Sequence, residues 1–149
     1  MLPTGVNRVR SPLGDILLTY EYNYIYKLRW APDERPNTWR TYPPLITYFS
    51  GQWPADVALP PITDLPGTPF QQAVWAYLTT LKWGQQTTYA AIAQALNRPQ
   101  AYRAVATAVA RNPIMIFIPC HRVIRTSGQL GDYAGGSERK QVLCDHESV

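Results

Sequence analysis

The sequence predicts an α+β fold, a small β-rich N-terminal part followed by a mostly α-helical C-terminal part. Three observations carry that expectation. Residues 6–30 run in β-branched and aromatic stretches broken by turn residues. Residues 53–69 hold five prolines, Pro54, Pro60, Pro61, Pro66 and Pro69. From Thr68 onward the apolar positions recur at helical spacing instead. The proline-rich stretch argues against regular structure and reads as a linker, dividing the chain into 1–66 and 67–149.

Taken in order, Ser11-Pro12-Leu13-Gly14-Asp15 reads as a turn, 16–20 as a strand and 24–30 as another, together a β-meander. A short helix is expected around Leu45, Ile46, Tyr48 and Phe49. After the linker, Thr68-Pro69-Phe70-Gln71 supplies an N-cap, a proline at the first helical position and a capping-box glutamine. Phe70, Val74, Tyr77, Leu78 and Leu81 continue that helix toward a stop near Lys82-Trp83-Gly84. A second helix is expected over 89–96, burying Ile92, Ala95 and Leu96, with Asn97-Arg98-Pro99 ending it. A third is expected over 101–111, turning Ala104, Val105, Ala108 and Val109 inward. Ser137 reads as the cap of a last helix over 138–146, with Glu147 just beyond.

The second and third helices, joined by a tight connection, look like a helix-turn-helix. Arg103, Ala106, Thr107 and Ala110 fall on the outward face of the third. A reader of base edges displays Arg, Asn and Gln there. Small residues let a backbone approach closely instead, which fits shape-driven contact with DNA, and fits equally an Ala-rich face packed on another helix.

With 149 residues, 46% of them hydrophobic, the chain can build a real core. The net charge of +4 is unevenly placed: residues 1–66 hold six basic and six acidic side chains, whereas 67–149 hold eight basic and four acidic. Such an asymmetry fits a polyanionic partner, and also an ordinary basic surface. Two cysteines are too few for a disulfide scaffold. There is no charged-then-apolar leader and no apolar run of membrane-span length. The expected setting is a reducing, cytoplasmic one, nucleoid-associated in a prokaryote, without membrane contact.

The segment carrying chemistry is Arg111-Asn112-Pro113-Ile114-Met115-Ile116-Phe117-Ile118-Pro119-Cys120-His121-Arg122. An apolar run is broken by Pro119 and opens onto a thiol between polar neighbours. His121 and Arg122 are expected to lower the thiol pKa and so activate it. On chemistry alone an inert core cysteine and a nucleophile both fit. Cys120, His121, Cys144 and His146 are the only soft ligands, and their spacings match no usual zinc site. Beyond Val123, Ser127-Gly128-Gln129-Leu130-Gly131-Asp132-Tyr133-Ala134-Gly135-Gly136 forms a glycine-rich loop suited to walling a pocket for a planar base.

Pro119-Cys120-His121-Arg122-Val123-Ile124, with Arg103-Ala104-Val105, Asn112-Pro113, Tyr133-Ala134-Gly135-Gly136, Arg139-Lys140 and His146-Glu147, closely resembles the O6-alkylguanine-DNA alkyltransferases. The likeness runs from Thr68 to Glu147 without a gap and is looser before it, where that family carries a ribonuclease H-like remnant. The resemblance implies single-turnover repair of double-stranded DNA containing alkylated guanine, and less readily O4-alkylthymine. The damaged base flips into a pocket and Cys120 takes the alkyl group. His121, bridged by a water and backed by Glu147, draws the thiol proton. Asn112 fixes the turn near Cys120, and Arg103 enters the stack in place of the flipped nucleotide. Tyr89 crowds the target phosphate and donates to the leaving base. Tyr133, Val123 and Val109 line the pocket, the Ala134 N–H points at O6, and Lys140 supports the loop. No cofactor and no metal are implied, and the protein is expected to be a monomer that can assemble cooperatively on DNA.

This sequence departs from the family pattern at Ala106, where glycine is usual, and at Asp132, where Gly or Asn is usual. With two residues after Glu147, the helix presenting that carboxylate is expected to fray. The rival readings are a non-catalytic sensor of alkylated DNA, which in relatives carries Trp in place of the cysteine, a transcription regulator, and a Cys-His-Glu hydrolase.

Overall fold

The computed structural model describes residues 2–33 and 40–148. Its first layer is an antiparallel meander, β1 (Gly5–Val9), β2 (Ile16–Glu21) and β3 (Tyr24–Trp30), in that spatial order. The β1–β2 turn closes as expected, with Gly14 N–H donating to Ser11 O at 3.2 Å. Alternation buries Ile16 and Leu18 from β2 and Leu28 and Trp30 from β3, and a register shift opposite Thr19 and Tyr20 brings Ile25 onto the same face, so one face of the sheet is core. The two-residue turn between β2 and β3 places Tyr22 and Asn23 at positive φ, 49° and 68°, a conformation Asn tolerates and Tyr seldom adopts.

Helix α1 (Pro43–Phe49) lies where the short helix was expected and buries Leu45 and Tyr48, while Ile46 faces out. The proline-rich stretch is more ordered than its composition suggests. It holds a 3₁₀ turn at Ile62–Asp64 and sinks Leu65 into the core.

Helix α2 (Pro69–Leu78) starts with the full capping box: Gln71 N–H donates to the Thr68 hydroxyl at 3.1 Å and Thr68 N–H to Gln71 Oε1 at 3.0 Å. Such a cap contributes about 1 kcal/mol. The helix ends at Leu78, short of the expected 82–84. Thr79 and Thr80 turn their hydroxyls back onto the carbonyls of Ala76 and Tyr77, both at 2.6 Å, and the chain leaves the helix there. Leu81 is nonetheless buried.

Helices α3 (Tyr89–Ala95) and α4 (Tyr102–Ala110) pack on each other, and α4 also packs on α2. Trp75 of α2 donates its indole N–H to Ala108 O at 2.8 Å, tying the two helices where α4 is buried. Two inward positions expected from the sequence face out. In α3 the buried pair is Ile92 and Ala93, with Ala95 exposed. In α4 the buried three are Val105, Ala108 and Val109, with Ala104 exposed beside Arg103. Alanine is apolar yet small, so a periodicity count assigns it to either face of a helix.

A two-stranded parallel pair, β4 (Thr87–Thr88) and β5 (Val123–Ile124), connects the start of α3 to the segment following Cys120. The last helix, α5 (Ser137–Glu147), begins one residue earlier than expected. Ser137 is its first residue rather than its cap; Gly136 holds the cap position at φ 91° with no side-chain bond. Glu147 falls within α5, and at 3% exposure it is anchored rather than frayed. Among the described residues, no helix is long and apolar enough to cross a membrane.

Candidate active site

The approach to Cys120 hangs on the N-terminal sheet. Leu28 of β3 donates its N–H to Pro113 O at 2.9 Å and accepts from Met115 N–H at 3.1 Å, a parallel bridge to Ile114. Beyond it the apolar run is buried and coils back on itself. Phe117 N–H closes a tight turn on Met115 O at 2.9 Å, with Ile116 at φ 71° in its middle. A β-branched residue there is strained by about 1–3 kcal/mol and persists only where its surroundings hold it. Ile116 is fully buried, and Asn112 braces the segment from both ends. The Asn112 Nδ2 donates to Ile118 O at 2.7 Å, and its Oδ1 accepts from Ile114 N–H at 3.0 Å. Pro119 then ends the run, and Cys120–Arg122 forms a single 3₁₀ turn.

Behind that turn lies a buried charge network. Glu147 Oε2 is 2.7 Å from His121 Nε2 and accepts from the Tyr48 hydroxyl at 2.7 Å and from an Arg122 terminal nitrogen at 3.1 Å. Oε1 accepts from Arg122 Nε at 2.7 Å, and Arg122 also donates to Leu81 O at 2.8 Å. The Trp53 ring covers the guanidinium at 5.0 Å. Burial acts to raise the Glu147 carboxyl, but His121 and Arg122 outweigh it and hold it down at about 2. Burial lowers the His121 imidazole against the opposing pull of Glu147. The ring is therefore neutral at pH 7, its Nε2 carries the proton facing the carboxylate, and Nδ1 presents a lone pair. Nδ1 has no hydrogen-bond partner among the described residues.

The thiol itself rests protonated. Burial pushes Cys120 up to about 11, against the Asn112 side chain, the Lys140 charge and its own backbone N–H, which pull it down. Of the two neighbours expected to lower it, His121 lies behind the turn with its Nε2 on Glu147. Arg122 is turned away, to Glu147 and Leu81 O, and does not figure among the groups acting on the sulfur. Cys144, the other free cysteine, donates its Sγ–H to His121 O at 3.3 Å.

In front of Cys120 opens a cavity of about 680 Å³, within the range that encloses a small ligand. Val109, Ala106, Ala110 and Met115 give it an apolar wall; Tyr89, Arg103, Arg125 and Asp132 stand around it, with Tyr133 and Ala134 from the glycine-rich loop. Lys140, fully buried, donates Nζ to the carbonyls of Leu130 and Asp132 and so pins that loop. Gly135 sits against Trp30, and a Cβ added there would run into the indole ring. Arg139 fastens the far end through Leu13 O at 2.9 Å and lies over the Trp30 ring.

A family profile described as "6-O-methylguanine DNA methyltransferase, DNA binding domain" matches residues 69–149. A methylated-DNA–protein-cysteine methyltransferase of Methanosarcina mazei is 39% identical across 93% of this chain and 94% of its own length. The chain belongs to the O6-methylguanine DNA methyltransferase family. A Mycobacterium leprae methyltransferase of the same name is 47% identical, covering 99% of this chain and 85% of its own. The crystal structure of Mycobacterium tuberculosis OGT in complex with DNA superposes with a TM-score of 0.84 and 35% identity, over 97% of this chain and 93% of that one.

Within this methyltransferase framework the sequence-derived residues fall into three groups. Cys120, Asn112, Tyr89, Arg103, Ala106, Val109, Tyr133 and Ala134 all line the one cavity. His121, Glu147 and Lys140 are buried behind it or beneath its loop. Val123 does not reach the cavity; it is fully buried in β5, paired with Thr87. Thr107 is exposed on α4 outside the lining, its hydroxyl on Arg103 O at 3.2 Å. Sequence reasoning missed Tyr48, Trp53, Tyr102, Met115 and Arg125. Tyr102 alone left a signal, as a large aromatic residue on a face of small ones.

Proposed function

We propose that this chain repairs alkylated DNA by moving an alkyl group from O6 of guanine to the sulfur of Cys120, once per molecule. The observation that carries the reading is Cys120 on the wall of a base-sized apolar cavity, with a neutral imidazole and a buried carboxylate behind it. The reacting carbon is stacked within duplex DNA, so the nucleotide turns out of the helix and enters the cavity. Helices α3 and α4 act as a helix-turn-helix, supported by their packing and by Asn97 at φ 60° in the tight connection between them. Ala106 and Thr107 allow α4 close to the backbone, and Arg103 fills the space the nucleotide leaves.

In the displacement, the Cys120 sulfur attacks the alkyl carbon in line with O6. A C–S bond forms, the C–O6 bond breaks, and its electron pair goes to guanine. The thiol proton passes through a bridging water to His121 Nδ1, and the imidazolium so formed is held by Glu147. Since the thiol rests protonated, this transfer belongs to the displacement rather than preceding it. Tyr89, at the cavity edge, donates to the departing base, while the Ala134 N–H serves O6 and Tyr133 and Val109 flank the ring. Asn112 and Lys140 keep the two walls in register. The thioether has no nucleophile set to cleave it, so one protein repairs one lesion without a cofactor.

Intact-protein mass spectrometry with peptide mapping, after mixing the protein with an O6-methylguanine duplex at varied ratios, tests this. The expected result is one methyl group on the Cys120 peptide, saturating at one per protein, and none in Cys120→Ala, which still binds the duplex. Binding by the native protein without modification would overturn the transfer reading in favour of a sensor of alkylated DNA.

A further inference from the structure

The carboxylate of the relay is held from both halves of the chain. Tyr48 of α1 is fully buried, and its hydroxyl donates at 2.7 Å to Glu147 Oε2, the same oxygen that faces His121 Nε2 at 2.7 Å. Its backbone carbonyl accepts from His146 Nε2 at 2.8 Å, so the residue grips the last turn of α5 at two points. The ring is boxed by Phe49 at 5.1 Å, Trp83 at 5.3 Å and His146 at 5.2 Å between centroids, with Trp53 at 6.1 Å. These ring contacts would be satisfied by phenylalanine. The hydroxyl adds only the bond to Glu147.

We propose that Tyr48 is a positioning residue for alkyl transfer: its hydroxyl fixes Glu147 Oε2 against His121 and sets how strongly the imidazole takes the Cys120 proton. The inference rests on the transfer reading above. Desolvation and the Glu147 charge both raise Tyr48, so its phenol stays protonated and acts as donor. Oε2 thus receives Tyr48, His121 and Arg122, and each donor disperses part of the negative charge. Removing one concentrates that charge, which favours imidazolium over imidazole. The groups around His121 are Glu147, Lys140 and Cys144 from α5, with Arg122 and Cys120 from its own turn. A Tyr48→Phe change leaves all five in place and withdraws one hydrogen bond from the carboxylate. The N-terminal part, by this argument, contributes to the proton path through α1 as well as supporting the fold.

The test measures the rate of Cys120 alkylation by free O6-benzylguanine, which needs no base flipping, from about pH 5 to about pH 8 in native protein and Tyr48→Phe. His121 must be neutral to act, so the native rate falls on the acid side below the ordinary imidazole value of 6.5. In Tyr48→Phe that acid limb is expected to move up by about half a pH unit, slowing transfer roughly threefold on the acid side and less on the plateau. An unmoved profile overturns the proposal, and so does a uniform loss at every pH, which a packing role would give. Should Tyr48→Phe not fold, 3-fluorotyrosine at position 48, a stronger donor, must move the limb down, and a fixed limb is again fatal. If native protein is alkylated neither by free O6-benzylguanine nor by the O6-methylguanine duplex, the transfer reading fails by itself. The Tyr48–His121 coupling is then decided by titrating the His121 ring nitrogens by NMR with and without the hydroxyl.

Discussion

On the cavity side of the Cys120–Arg122 turn the chain presents Ala106, Val109, Ala110 and Met115, with only a few polar groups around them. On the opposite side Glu147 takes hydrogen bonds from Tyr48 and Arg122 and pairs with His121, in a space closed by Trp53 and Trp83. In the proposed reaction the first side receives a foreign planar group and keeps few contacts of its own to break. The second has to hold a charge out of water, which is tolerable only when the lone pairs are engaged. Substrate fit and proton handling therefore come from separate parts of the sequence, and separate substitutions should disable them.

The largest effect is expected from Glu147→Gln on the wired side. It strands the Arg122 guanidinium in the interior, a loss of about 3–5 kcal/mol in chemical denaturation. It should slow alkyl transfer by about 100-fold or more, because His121 loses the partner that stabilises its protonated form. Duplex affinity should hardly change. The pH dependence has a definite sign. With the native carboxyl lowered from 4.5 to about 2, its contribution is complete above pH 4.5 and is lost as pH falls toward 2. Native and Gln proteins should therefore converge in stability as the solution is acidified through that window.

On the cavity side, Arg103→Ala should leave the stability and the reaction with free O6-benzylguanine unchanged while slowing repair in duplex DNA by about tenfold. Equal losses on both substrates would remove Arg103 from base extrusion. The smallest expected effect is that of Ala106→Gly. It trades about 1 kcal/mol of helix stability for closer approach of α4, and duplex affinity, read by fluorescence anisotropy, should rise by about twofold. A fall in affinity would mean that this methyl group is itself a contact with DNA.

The sequence patterns that proved reliable are those written within a few neighbouring residues. The Thr68 capping box and the turn at Ser11 both close across three positions. Alanine positions misled, since Ala95 and Ala104 match an apolar face by count while Ala93 and Ala108 take the inward places, and so small a side chain suits either face. Two other features had no local signature. Arg122 stands two residues after Cys120 in sequence, but its guanidinium is claimed by Glu147, 25 residues away. Tyr48 meets the same carboxylate across 99 residues. The single carboxylate organises both contacts, and its burial is a property of the assembled fold.

The bridge between Leu28 and Ile114 also bears on how the molecule comes into being. The meander can form early during synthesis, from neighbouring segments. The stretch that presents the thiol must wait until most of the chain has emerged and then find an edge already made. Such distant closure is slower than forming a turn or helix. In the interval the newly made thiol stands open to solvent oxidants and stray electrophiles, until β3 captures the segment through Ile114 and takes it inside.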